Sequence, residues 1–268
     1  MVIVQSAGIT DAGRKRKSNE DAMLLDDDGG LYVVADGVGG HRAGEVASRL
    51  VVDTIRGHMD SFKGSDAEES ADFDGTLSIE ANRLLSSIQV ANRVVHQASN
   101  SKESLRGMGS TVSAVYFAAD TFVAANVGDS PIYLVRDGTI ELLCELHTVM
   151  AEQAAVDPHG IDRLGRNYRH MLTRAIGVEE TVKACISEIQ LFKGDIIVIG
   201  SDGLSDKVPS EEILDVVNKD RPDNACRSLV DLANERGGDD NATVIVLKVK
   251  ALKQETGGIL GLISRIIS

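Results

Sequence analysis

Five places in this sequence set a carboxylate where an apolar or glycine-bearing run stops, and carboxylates so placed can hold cations. They are Arg16-Lys17-Ser18-Asn19-Glu20-Asp21, Val33-Val34-Ala35-Asp36-Gly37-Val38-Gly39-Gly40-His41, Val127-Gly128-Asp129-Ser130, residues 196–206 (IIVIGSDGLSD, with Asp202 and Asp206) and Gly237-Gly238-Asp239-Asp240-Asn241. Each alone reads as a charged turn. In the second, a strand-like run passes straight into Asp36 and then into glycines, which let backbone atoms approach a ligand closely. If such strand ends converge, repulsion among the carboxylates is severe unless cations neutralise it. Oxygen donors without a Cys or His ligand pattern select hard ions, Mg2+ or Mn2+, over zinc.

The elements that must position these residues follow from periodicity. MVIVQSAGIT, AMLL and LYVVA are β-branched or alternating runs, hence strands. Val46, Leu50, Val51, Ile55 and Met59 recur at helical spacing over 43–59, and a second helix is expected over 78–99 with Ile79, Leu84, Leu85, Ile88 and Val95 inward. The two should form an antiparallel hairpin. Strands return at STVSAVYFA, TFVAANVG, PIYLVR and TIELLC, joined by Ala-Asp, Gly-Asp-Ser and Asp-Gly connections too short to cross a sheet, so consecutive strands should be antiparallel. An irregular region at 147–170 precedes strands KACISEIQL and DIIVIG, helices near 210–218 and 223–235, and a last strand ATVIVLKV. The order predicts an α+β fold, a central antiparallel β-sandwich flanked by helix pairs on both faces.

Composition bounds the remaining classes. The chain has 268 residues, 43% apolar and 26% charged, an ordinary globular balance. With 28 Lys+Arg against 41 Asp+Glu the net charge is −13, which argues against nucleic-acid phosphates as the main ligand. Cys144, Cys185 and Cys226 are about forty residues apart with no C-x-x-C, as expected in a reducing compartment. The N-terminus has neither a signal-peptide h-region nor a membrane span, so the cytoplasm is the expected location.

The motifs RKSNEDA, VVADGVGGH, GSTVSA, ANVGDS, LTRAIG, IGSDGLSD and GGDDNATVIV, in this order over nearly the whole chain, resemble the PP2C-type (PPM) metal-dependent protein serine/threonine phosphatases in their compact bacterial form. The resemblance implies hydrolysis of phosphoserine and phosphothreonine by attack of a hydroxide bridging two Mn2+ or Mg2+ ions. It assigns Asp36 to both metals with the Gly37 carbonyl on one, Asp202 and Asp240 to the other, and Glu20 with its neighbour Asp21 to support of the second. Asp129 and Asp206 would hold a third, weaker ion. Arg16 would bind the substrate phosphate, where a guanidinium fork fits two oxygens.

The chain departs from the family's pattern in places. Eukaryotic members carry a histidine directly after the Asp-Gly pair, where this chain has Val38, which leaves His41 as candidate proton donor. Pro131 follows Gly-Asp-Ser where Arg is usual, and the flap that opens CELHTVMAEQAAVDPHG keeps only His147 of an Asp-His-Ser pattern. His58, His96, His147, His159 and His170 lack ligand spacing and are expected at the surface. The phosphatase domain is expected over 1–250. An amphipathic tail follows over 251–268, with Ile259, Leu260, Leu262, Ile263, Ile266 and Ile267 on one face, suited to docking a partner. Expected partners are phosphoproteins marked by a Ser/Thr kinase. Two alternatives stand beside this reading: a pseudophosphatase that binds phosphoprotein without turnover, and a phosphatase of small phosphomolecules.

Overall fold

The computed structural model describes residues 2–39, 42–63, 73–157, 168 and 171–252. Its strands form two sheets. The first has the order β1 (Val2–Asp11), β11 (Ala242–Leu252), β10 (Ile196–Gly200), β7 (Ile132–Arg136) and β8 (Thr139–Leu142). The second runs β2 (Asp21–Asp26), β3 (Leu31–Val38), β5 (Val112–Ala118), β6 (Thr121–Val127) and β9 (Cys185–Gln190), with the short β4 (Gly109–Ser110) also on β3. Every neighbouring pair is antiparallel.

Strand parity decides what meets between the sheets, because successive side chains point to opposite faces. Tyr32 and Val34 of β3 join Val115, Phe122, Ile197, Ile199, Ile245 and Leu247 in the inter-sheet core. Leu31, Val33 and Ala35 face the other way, onto α1 (Arg42–Ser61) and α2 (Ile79–Ser101). In α1, Ala47, Val51, Ile55 and Met59 are buried at steps of four, and in α2 Leu84, Ile88, Ala91 and Val95 at steps of four, three and four, so each helix contributes one apolar stripe. Ser78 caps α2, its hydroxyl accepting from the Ala81 amide at 3.1 Å. On the outer face of the first sheet, α5 (Ser210–Lys219) and α6 (Pro222–Glu235) bury Ile213, Val217, Ala225, Leu229 and Ala233. A fully buried Leu or Ile is worth roughly 1.5–3 kcal/mol, and the three clusters give the helix–sheet–sheet–helix layering expected from the sequence.

Four expectations need correction. The Gly-Asp-Ser connection is not a hairpin turn: β6 belongs to the second sheet and β7 to the first, so the chain changes sheet there. Gly128, at φ +114°, makes that step, and a Cβ on it would stand 2.6 Å from Thr111 Cγ2. Residues expected to be irregular include α3 (Val149–Val156), capped by Thr148; it buries no side chain and so left no apolar stripe to read. Ile79, expected inward, is exposed at the start of α2, and His147, expected at the surface, is buried. A single turn, α4 (Asp202–Ser205), was not expected either. The tail beyond Leu252 lies outside the described residues.

Candidate metal centre

One end of the inter-sheet seam is polar, and parity places it there. On β2, Met23 and Leu25 pack on the inter-sheet core, so Asp21 points to the same side; on β3, Asp36 follows Tyr32 and Val34. Asp21 and Asp36 are direct cross-strand partners. Like charges so placed are destabilising. From the opposite sheet, Ser201 continues the parity of Ile197 and Ile199, and Thr243 that of Ile245. Both hydroxyls donate to Asp21 Oδ2, at 2.9 and 2.6 Å. The two sheets are therefore stitched together through one carboxylate.

Backbone contacts fix Asp36. Its amide donates to Thr111 Oγ1 at 2.9 Å, and its carbonyl accepts from the Thr111 amide at 2.8 Å and from Ser110 Oγ at 3.0 Å. The Gly37 amide donates to the Glu20 carbonyl at 3.2 Å. A Cβ on Gly37 would lie 2.1 Å from the Gly44 carbonyl oxygen, so only glycine admits α1 this close to β3. The Glu20 carboxylate lies over Gly44, where a Cβ would meet it at 2.1 Å.

Asn241 ties the N-terminal loop to the start of β11: its side chain accepts from the Glu20 amide at 2.8 Å and donates to the Ala12 and Ser18 carbonyls at 3.0 Å each. That loop delivers Arg16, whose Nη2 donates to Asp240 Oδ2 at 2.6 Å. At the rim Lys15 and Lys207 pair with Asp239.

The electrostatics record how crowded the acids are. Burial, then Asp21 and Asp202, push the Asp36 carboxyl well above the usual carboxylate range, and it shares a hydrogen bond with Asp202. Burial raises Asp21 to about 7 against the two hydroxyl bonds, with Asp202 and Asp240 adding to the rise. Asp129 is pushed up to about 7 by burial and then by Asp202, with Asp206 and Asp240 further contributors. Asp202 is raised by burial, and the bond from Asp36 opposes that rise. Burial works against the Arg16 charge, but Asp240, Glu20 and Asp36 outweigh it and raise the guanidinium.

Among the described residues no three His, Cys, Asp or Glu side chains already form a closed cation cage. Even so, hard cations fit the donor set. Asp21 Oδ1 and Asp202 Oδ1 are buried without a hydrogen-bond partner. Orphaned anionic oxygens of this kind are costly. A divalent ion relieves both that cost and the repulsion that lifts the neighbouring carboxyls, and an all-oxygen set suits Mg2+ or Mn2+.

The structure thus brings Arg16, Glu20, Asp21, Asp36, Gly37, Asp129, Asp202, Asp206 and Asp240 to one end of the sandwich; His41 lies outside the described residues. Sequence reading missed the residues that hold this group in place: Ser110, Thr111, Ser201, Asn241 and Thr243. All five stood inside motifs already singled out, but a neutral residue beside an aspartate carries no separate signal.

A helix-flanked antiparallel sandwich with an acidic, oxygen-donor centre at one end of the seam is the architecture of a metal-dependent hydrolase. Residues 11–237 match the protein phosphatase 2C family, and the chain belongs to it. It is 33% identical over 244 residues to a serine/threonine phosphatase of Listeria welshimeri, covering 89% of this chain and 93% of that one. Identity to the serine/threonine protein phosphatase PstP of Mycobacterium tuberculosis is 30% over 251 residues, 92% of this chain and 45% of that protein. The catalytic domain of a PstP, solved in complex with two manganese ions, superposes with a TM-score of 0.78 at 29% identity, covering 94% of this chain and all of that one.

Proposed function

We propose that this chain is a metal-dependent phosphoprotein phosphatase that hydrolyses phosphoserine and phosphothreonine esters. The observation that carries the reading is the cross-strand pair Asp21–Asp36 at the seam mouth, with Asp202, Asp240 and Asp129 close enough to raise or share its protons and Arg16 reaching in from the rim. Asp36, the Gly37 carbonyl, Asp202 and Asp240 would hold two ions with support from Glu20 and Asp21, and Asp129 and Asp206 a third. The ions, when bound, would lower the pKa of a water towards neutrality and draw charge from the phosphoryl oxygens. Arg16 stands half-exposed beside Asp240, within reach of solvent, and its fork offers two donors to a phosphate. Ser201 and Thr243 hold one face of Asp21, leaving its Oδ1 open towards the group. Thr111 fixes the Asp36 backbone at the seam mouth.

The substrates in this reading are proteins phosphorylated by a Ser/Thr kinase, the setting is the cytoplasm, and the tail over 251–268 docks a partner. Among the described residues no helix is long and apolar enough to cross a membrane. Turnover of phosphoserine and phosphothreonine peptides with Mn2+, and its loss in excess EDTA, tests the central claim. Equal activity in EDTA overturns it, and a preference for small phosphomolecules over peptides moves the substrate class.

A further inference from the structure

The described fold brings together two thiols that lie forty-one positions apart. Cys144 follows β8 of the first sheet, and its side chain is buried in the inter-sheet core. Cys185 opens β9, the edge strand of the second sheet; it shares the parity of Ile189, which also packs on that core. Cys144 Sγ stands 3.9 Å from the Cys185 carbonyl oxygen, 3.9 Å from the Ala124 carbonyl and 4.0 Å from Ser187 Oγ. Ser187 in turn donates to the Leu143 carbonyl at 2.7 Å, pinning the two segments side by side. The two thiols act on each other: Cys144 lowers the Cys185 thiol and is itself raised, and the Arg174 charge also favours the Cys185 thiolate. Cys185 is half-buried, whereas Cys144 and Cys226 are buried.

We propose that Cys185 and Cys144 are a peroxide-sensitive dithiol, with Cys185 the attacking sulfur and Cys144 the resolving one, whose disulfide joins the two sheets at the edge opposite β2. The contacts support the division of labour. The hydrogen bond from Cys144 pulls the Cys185 thiol below its usual range, and that same bond, followed by burial, pushes Cys144 above it. Partial exposure gives the oxidant access to Cys185, and a neighbouring thiol intercepts the first product before further oxidation. The chemistry balances. Cys185 thiolate attacks hydrogen peroxide, taking one oxygen as sulfenic acid and releasing hydroxide, which becomes water. Cys144 sulfur then displaces the sulfenic oxygen as a second water, so two thiols lose two electrons and two protons per peroxide.

The bond would act on the metal centre through a short path. His147 lies three residues after Cys144; its amide donates to the Gly128 carbonyl at 2.8 Å, and its Nδ1 accepts from the Gly128 amide at 3.1 Å. Gly128 is the residue before Asp129. Burial and then Arg174 lower His147 to about 4, so it is neutral and Nδ1 is free to accept. Drawing Cys144 towards β9 would shift the segment after β8 that holds this pair of bonds, and with it the turn that presents Asp129.

The test treats the folded, Mn2+-loaded full chain with graded hydrogen peroxide and maps thiols by mass spectrometry beside a phosphopeptide assay. The mapping does not depend on the phosphatase reading, so failure of either claim is distinguishable. The expected result is a Cys144–Cys185 cross-link at peroxide levels that leave Cys226 reduced, reversed by a dithiol, with turnover at least halved while the bond persists. In Cys144→Ala a sulfenic-acid probe should label Cys185 instead, and Cys185→Ser should keep its turnover under the same treatment. No cross-link in the wild type, oxidation of Cys226 at the same dose, or equal inhibition of Cys185→Ser overturns the proposal.

Discussion

In the proposed reading Asp36 would hold ions and Arg16 the substrate phosphate, and single substitutions separate the two roles. Replacing Asp36 by Asn removes a charge from the centre of the cluster but keeps the shape and the bonds that Thr111 makes to its backbone. Turnover of phosphopeptide should fall on the order of 100-fold or more, as for loss of a group that orients a metal. In chelator the same variant should be slightly more stable, by about 0.2–1 kcal/mol in urea denaturation, because the fold no longer holds an acid whose ionisation burial and Asp21 oppose. Arg16→Ala should mainly raise KM, about tenfold or more, since a charged contact to phosphate is worth roughly 1.5–3 kcal/mol; an unchanged KM leaves Arg16 as a partner of Asp240 alone. The acids of this site were legible because each ends an apolar run, and the glycines because they accompany them. Ser201 and Thr243 were not: their role exists only once strand parity from two sheets points them at the same carboxylate oxygen.

Among the elements, residues 171–184 ahead of β9 lean on side chains of α2, Asn92 making the most bonds. Asn92 is buried; its oxygen accepts from the Gly177 amide at 2.7 Å and its nitrogen donates to the Glu179 and Glu180 carbonyls at 3.0 Å each. Asn92→Ala would orphan those groups, and the expected loss is about 1–3 kcal/mol, read as a lower urea midpoint. The same segment carries Arg174, whose Nη1 lies 3.1 Å from His147 Nε2, so the variant should also loosen the flank of the metal centre. Hairpins at Ala119-Asp120 and Asp137-Gly138 were readable because Ala119 at φ +52°, Asp137 at φ +50° and Gly138 at φ +77° sit in the tight two-residue connections that the sequence spacing implied. The crossing at Gly128 was misread for the same reason: length alone cannot tell a turn that reverses within a sheet from one that steps to the facing sheet. Helix α3 escaped notice because a helix that buries nothing has no period to detect.

For the whole molecule, the proposed metal centre would be a joint between two halves of a sandwich, so cations should report on global stability. Mn2+ at about a hundred times its dissociation constant should add about 2.7 kcal/mol. The resulting rise in melting temperature in a thermal scan should be much reduced in Asp36→Asn. A rise of equal size in the variant would place the ions elsewhere. The joint also has an order of assembly. Strand β1 pairs with β11 along its whole length, from Val2 opposite Leu252 to Asp11 opposite Ala242, so β1 waits for a strand made after all the other described strands. All strands of the second sheet and both of its covering helices lie within residues 21–190, and they can associate while the rest is still being made. Pairing so distant in sequence is slow to form. A chain still growing on the ribosome therefore holds Asp21 and Asp36 without Ser201, Asp202, Asp240 or Thr243. With the proposed ligand set, catalysis waits on translation: a chain without β11 lacks Asp240 at the site and would not strip phosphate from its neighbours.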